Sequence, residues 1–270
     1  MRSGKIRIKK YKTGRRRPKA LLLFAVLAVA AGALVLLRPP LPFLSFSAPS
    51  LTRQDTEMET RVVTLPAARF YTLQLGAFSD ARSAESLAET YRRRGAAGYI
   101  HHQDSYRVLA AAYPQREDAL AVQQQLLENH QVDAYLHPVV RNAVTLRLSG
   151  QKAQLDALED AFDICVQLTA TLAHLSQSLD GGTMTADEIR AALTSQLNTL
   201  QSLCSRLETL FARENHAAVL ALLTLMQETQ AHLQTALTAE NSTRLGGSIK
   251  YCHLALLCGL EAYVAQLAPG

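Results

Sequence analysis

The sequence predicts an α+β protein: an N-terminal transmembrane helix, a βαββαβ domain, and an all-α antiparallel helical bundle. Three observations carry that prediction. Residues 20–37 form an uninterrupted apolar run, and residues 70–139 alternate between strand-like and helix-like periods. From residue 149 onward the apolar residues recur at helical spacing almost to the end.

Charge is very unevenly placed. Residues 1–20 carry ten Lys or Arg and no acid, leaving 18 basic against 23 acidic groups in the rest of the 270-residue chain. Nucleic-acid binding normally puts positive charge on the folded domain, so the mildly acidic remainder argues against it. The basic tail, residues 1–19, reads instead as the flank of the apolar run Ala20–Leu37. As a helix those 18 residues span about 27 Å, enough for a bilayer core. A single Arg38 follows, so the asymmetry places the N-terminus in the cytoplasm and the remainder outside. The rival is a cleaved signal peptide ending near Ala30 or Ala33, but the apolar run continues past both.

Residues 38–69 contain five prolines with Ser, Thr and mixed charge, and read as a Pro-stiffened linker. The domain over residues 70–140 follows. Phe70–Phe78 has strand character, and its period changes at Ser79, where Ser79 or Asp80 can cap a helix over 80–94 that stops at Gly95. Residues 98–103 and 105–113 predict a hairpin turning near Gln103–Asp104. A second helix over 115–129 and a last strand over 133–139 complete the order. Such a chain packs two helices on one face of a four-stranded antiparallel sheet and leaves the other face open. Alternation points Leu73 and Leu75 at the helices and Thr72 and Gln74 at the open face.

The stripe Leu155, Leu158, Phe162, Cys165, Leu172, Leu175, Leu179 ends at Gly181–Gly182, and a capping box, Thr185 to Glu188, opens the next helix. Two further stripes, roughly 216–239 and 243–267, complete a four-helix bundle over residues 149–268, buried in itself or against a partner helix. All four cysteines lie there. Equal heights on neighbouring helices make Cys165–Cys252 the pairing if any disulfide forms; the alternative is four small buried thiols.

The pattern Tyr71-Thr-Leu-Gln74-Leu-Gly76-Ala-Phe78, then Tyr106-Arg107-Val108 and Tyr113-Pro-Gln-Arg-Glu-Asp-Ala119, resembles the SPOR (sporulation-related repeat) domain family over residues 70–139. The resemblance implies a ferredoxin-like, RNP-like fold and a non-catalytic module that binds peptidoglycan glycan strands stripped of stem peptides. It also implies an envelope protein drawn to septa in division or sporulation. The chain departs from the pattern at Ala110–Ala112, where members often carry glycine, at Ala77, where some carry serine, and in having no tryptophan.

Alternation gives the candidate glycan-binding set: Thr72, Gln74, Tyr99, His101, Arg107, Leu109, Tyr135 and His137. Aromatic rings cover the apolar faces of sugars, while amide and guanidinium groups bond hydroxyls and N-acetyl carbonyls. An ordinary solvated sheet face is the bland alternative. Adjacent His101 and His102 face opposite ways on a strand, which disfavours a metal site. His174, His216, His232 and His253 read as helix-surface or packed residues. No nucleophile triad, phosphate loop or carboxylate pair stands out, so the sequence predicts no enzyme and no cofactor. Its expected partners are glycan strands, the membrane and a protein docked on the bundle. A scaffold in which domain and bundle both dock proteins is the alternative.

Overall fold

In the computed structural model, residues 58–213 and 216–267 are described. The basic tail, the apolar run 20–37 and linker residues 38–57 lie outside them. Among the described residues no helix is long and apolar enough to cross a membrane.

The chain alternates strands and helices before a run of four long helices. In order these are β1 (Met58–Leu65), β2 (Ala68–Phe78), α1 (Ala81–Arg92), β3 (Tyr99–His102), β4 (Tyr106–Tyr113), α2 (Arg116–His130), β5 (Tyr135–Arg141) and β6 (Val144–Gln151). The helices α3 (Lys152–Asp180), α4 (Ala186–Phe211), α5 (Ala217–Leu237) and α6 (Ser242–Leu267) follow. The expected βαββαβ order is present as β2 to β5, and its antiparallel sheet runs β3-β4-β2-β5. Asp80 is the α1 cap; its Oδ1 accepts from the Ser83 N–H at 2.9 Å. Leu73, Leu75 and Val108 bury against α1 and α2, as alternation requires.

Two strands fall where none was expected. β1 lies inside the stretch read as linker, and β6 runs to Gln151, past the expected helix start at 149; the two pair antiparallel from Met58↔Gln151 to Leu65↔Val144. β1 hides its alternation because its inward face carries charge. Arg61 points toward α3 and donates to Asp156 at 2.6 Å and Glu159 at 3.0 Å, so a polar residue stands where an apolar one marks a strand. In β6 the inward Leu146 and Leu148 join Leu65 in the core beneath α3.

The β2–β5 domain is thus inserted between two paired strands of the helical lobe. Only Pro66–Ala67 and Asn142–Ala143 join the two lobes. In the helical lobe α3 packs on α4, α4 on α5, α5 on α6, and α6 on α3, a closed ring that buries the expected stripes. The Thr185–Glu188 capping box forms as predicted. Cys165, Cys204, Cys252 and Cys258 are free, buried thiols. Burial pushes Cys165 up to about 12, and nearby Cys204 adds to the rise. Of the two expectations for these cysteines, the four small buried thiols are what the structure shows.

The largest departure is the position of α6. Leu245, Ile249, Cys252, Leu256 and Leu260 face the bundle core. On its other side Leu254, Leu257 and Cys258, with Tyr251, pack onto the sheet against Ala97, Leu109, Ala112, Val139, Phe70 and Tyr99. The face expected to be open is half covered.

Candidate functional site

Strand register builds the site. Gln74 on β2 pairs with Tyr135 on β5 and Leu109 on β4, and Leu109 pairs with Tyr99 on β3, giving one row across the sheet. Thr72 pairs with His137 and Ala112, and Arg107 with His101 and Ala77. Two register shifts in the β2–β4 ladder, between Thr72 and Gln74 and between Gln74 and Gly76, bracket Gln74. Each adds a residue to one strand, so the second undoes the slip of the first. All eight candidate residues therefore share a face.

They do not share an environment. Thr72 and Leu109 are 0% exposed, and Thr72 turns its hydroxyl to the His137 carbonyl at 2.6 Å. Tyr99 lies under α6, edge-on to Tyr251 with ring centroids 5.4 Å apart. Burial drives its phenol well above the ordinary range, with Cys258 and Tyr251 contributing. The expectation that Thr72, Tyr99 and Leu109 display themselves on an open surface is corrected. For Tyr99 and Leu109 the reason is tertiary: α6 of the next lobe packs above them.

The uncovered half holds Gln74, Arg107, Tyr135 and His137, with His101 buried beneath. Tyr135 is 58% exposed and donates its hydroxyl to Asp133 Oδ2 at 2.8 Å, which fixes the ring's edge and leaves its face to solvent. Arg107 Nη1 donates to Gln103 Oε1 at 3.4 Å. Burial lowers the pKa of His101, with His137 and Arg107 acting the same way; burial and then Arg107 lower that of His137. Both imidazoles are therefore neutral at pH 7, each able to donate and to accept. The buried Nε2 of His101 has no hydrogen-bond partner among the described residues.

A ring face beside an amide, a guanidinium and neutral imidazoles suits an uncharged polyhydroxylated ligand. Comparison with protein families bears directly on this strip. Residues 67–136 are a SPOR domain. The match agrees with the segment that carried the resemblance, spans about a quarter of the chain and stops before β6 and the bundle. No curated protein and no solved structure matches the chain. A SPOR domain is non-catalytic and implies peptidoglycan binding in cell division. Sequence reasoning missed the orienting partners Gln103 and Asp133, and it missed Phe70, Ala112 and Val139, which share the SPOR face under α6. Phe70 and Val139 stand two residues from Thr72 and His137, and that even spacing was the available signal; Ala112 reaches the face across the register shift.

Proposed function

We propose that this protein binds peptidoglycan glycan strands through the uncovered strip of its SPOR domain, and that the strands are those stripped of stem peptides at septa. The N-terminal apolar run anchors it in the membrane, and the bundle positions a partner. The observation that carries the reading is the convergence of Gln74, Arg107, Tyr135 and His137 on the half of the SPOR sheet that α6 leaves free. Tyr135 offers a ring to a pyranose face. Gln74 and Arg107 supply donors for hydroxyl and N-acetyl oxygens, and the neutral His137 does either job.

The test uses the full chain and purified sacculi, with and without amidase treatment. Wild-type protein pellets with sacculi, and more of it pellets once amidase has removed stem peptides. Gln74→Ala weakens this binding about tenfold, the loss of one to two hydrogen bonds. Its thermal midpoint stays within about 2 °C of wild type, because a partly exposed side chain is removed. Binding unaffected by Gln74→Ala and Arg107→Ala moves the function elsewhere on the molecule.

A further inference from the structure

We infer that α6 is a built-in cover for the SPOR sheet, and that hinge opening between the lobes exposes the full ligand face. This rests on the reading of that face as the glycan surface. The first support is topology. The SPOR lobe hangs from the helical lobe by two links of two residues, Pro66–Ala67 and Asn142–Ala143. The links run side by side, since Leu65 pairs with Val144 on one side of them and Ala68 with Arg141 on the other. Two adjacent short links make a hinge, where a few backbone angles absorb a rigid rotation.

What α6 covers is the second support. Beneath it lie the rings of Phe70 and Tyr99 and the side chain of Leu109, the apolar part of the face, while the polar strip stays free. Tyr251 stands edge-on against Tyr99 and His253 edge-on against Phe70, centroids 5.6 Å apart, so protein rings occupy the places where sugar rings would stack. In the docked form one exposed ring, Tyr135, serves the strip; opening adds two more.

The third support is that the docked form is not fully satisfied. His253 is 1% exposed, and its Nε2 has no partner among the described residues. Water would supply that bond on opening, so part of the docking free energy is offset. If the docked form outnumbers the open one tenfold, affinity through the full face is reduced about tenfold.

Two variants loosen the cover and spare the bundle core. A Cβ at Gly247 lands 3.0 Å from the Ala96 carbonyl oxygen and 3.3 Å from the Gly95 carbonyl carbon, so Gly247→Val wedges α6 away from the connection between α1 and β3, at the edge of the covered face. Leu257→Ala thins the contact from the sheet-facing side of α6. Each is expected to raise affinity for amidase-treated sacculi about tenfold in the full chain. Folded variants that bind like wild type or more weakly overturn the cover. Maleimide labelling of Cys258 in wild-type protein serves if either variant fails to fold, because that thiol lies between α6 and the sheet while the other three lie in the bundle core. Added amidase-treated glycan should raise its labelling rate, and an unchanged or reduced rate overturns the inference. Gln74→Ala separates the two ideas. If it weakens binding about tenfold while the loosened variants stay flat, the cover alone falls; if neither it nor Arg107→Ala changes binding, the reading of the face falls and the cover with it.

Discussion

Gly98→Val is expected to lower the unfolding midpoint by roughly 10 °C. Gly98 has φ +54°, a conformation that β-branched residues very rarely adopt. A Cβ there would sit 2.5 Å from the Ala88 carbonyl oxygen and 2.7 Å from Arg92 Cγ. Neither can withdraw freely. Ala88, on the inner face of α1, is fully buried, and Arg92 donates to the Gly98 carbonyl at 2.9 Å, locking the helix end to the strand that follows. The left-handed backbone costs about 1–2 kcal/mol and the displaced helix about 1–3 more. At about 2–4 °C per kcal/mol for a chain of this size, the sum is roughly 10 °C. Gly182 is the control. It too has positive φ, +66°, but nothing lies within 4 Å of its would-be Cβ. Gly182→Ala should therefore show the backbone cost alone, about 1 kcal/mol and roughly 3 °C. Calorimetry on both variants checks the argument; equal losses would mean that backbone conformation, not the contact with α1, sets the cost.

The contrast between these glycines parallels what the sequence could reveal. Local signals were legible wherever one element explains its own residues. The Thr185–Glu188 box, the glycine stop after α3 and the alternation of Leu73 and Leu75 each need only a few neighbours, and each appears in the structure. β1 was hidden because Arg61 is satisfied by Asp156 and Glu159, almost a hundred residues away. A strand that sets Glu59 and Arg61 beside Val63 and Leu65 on its inward face, with Val62 outward, carries no clean apolar period. The cover over the SPOR sheet left a trace that was readable. In α6 the bundle stripe uses Ile249, Cys252, Leu256 and Leu260, while Tyr251, Leu254, Leu257 and Cys258 form a second stripe beside it. A helix apolar on both sides is buried on both sides, and a four-helix ring buries only one. That surplus requires a second surface, and the apolar Phe70, Leu109, Ala112 and Val139 were the matching surplus on the sheet. Neither stripe names its partner, so the pairing became visible only in three dimensions.

His253→Leu should make the protein about 3 kcal/mol more resistant to acid relative to wild type, with the gain appearing between pH 6.5 and 4. Burial lowers the His253 pKa from an ordinary 6.5 to about 4, and no hydrogen bond holds its Nε2. The folded protein therefore favours the neutral imidazole, whereas the unfolded chain takes up its proton first as pH falls. Stability from this group is complete above pH 6.5 and is progressively lost down to about pH 4, below which both states are protonated. A difference of about 2.5 units at 1.36 kcal/mol each gives the 3 kcal/mol. His101, His137 and His232 also have lowered values, and the carboxylates of Asp80, Asp156 and Glu188 lose native partners in acid. Those losses occur in both proteins and cancel in the difference. At pH 7.5 the substitution itself should cost less than about 1.5 kcal/mol, since an apolar side chain of similar size replaces a buried ring with an unbonded nitrogen. Urea titrations at pH 7.5, 5.5 and 4.0 measure the difference directly. Parallel loss of stability in the two proteins would show that the imidazole finds a proton-accepting partner in the folded state. Because His253 packs on Phe70 between α6 and the sheet, the first amides of wild-type protein to lose protection in acid should be those of residues 251–258.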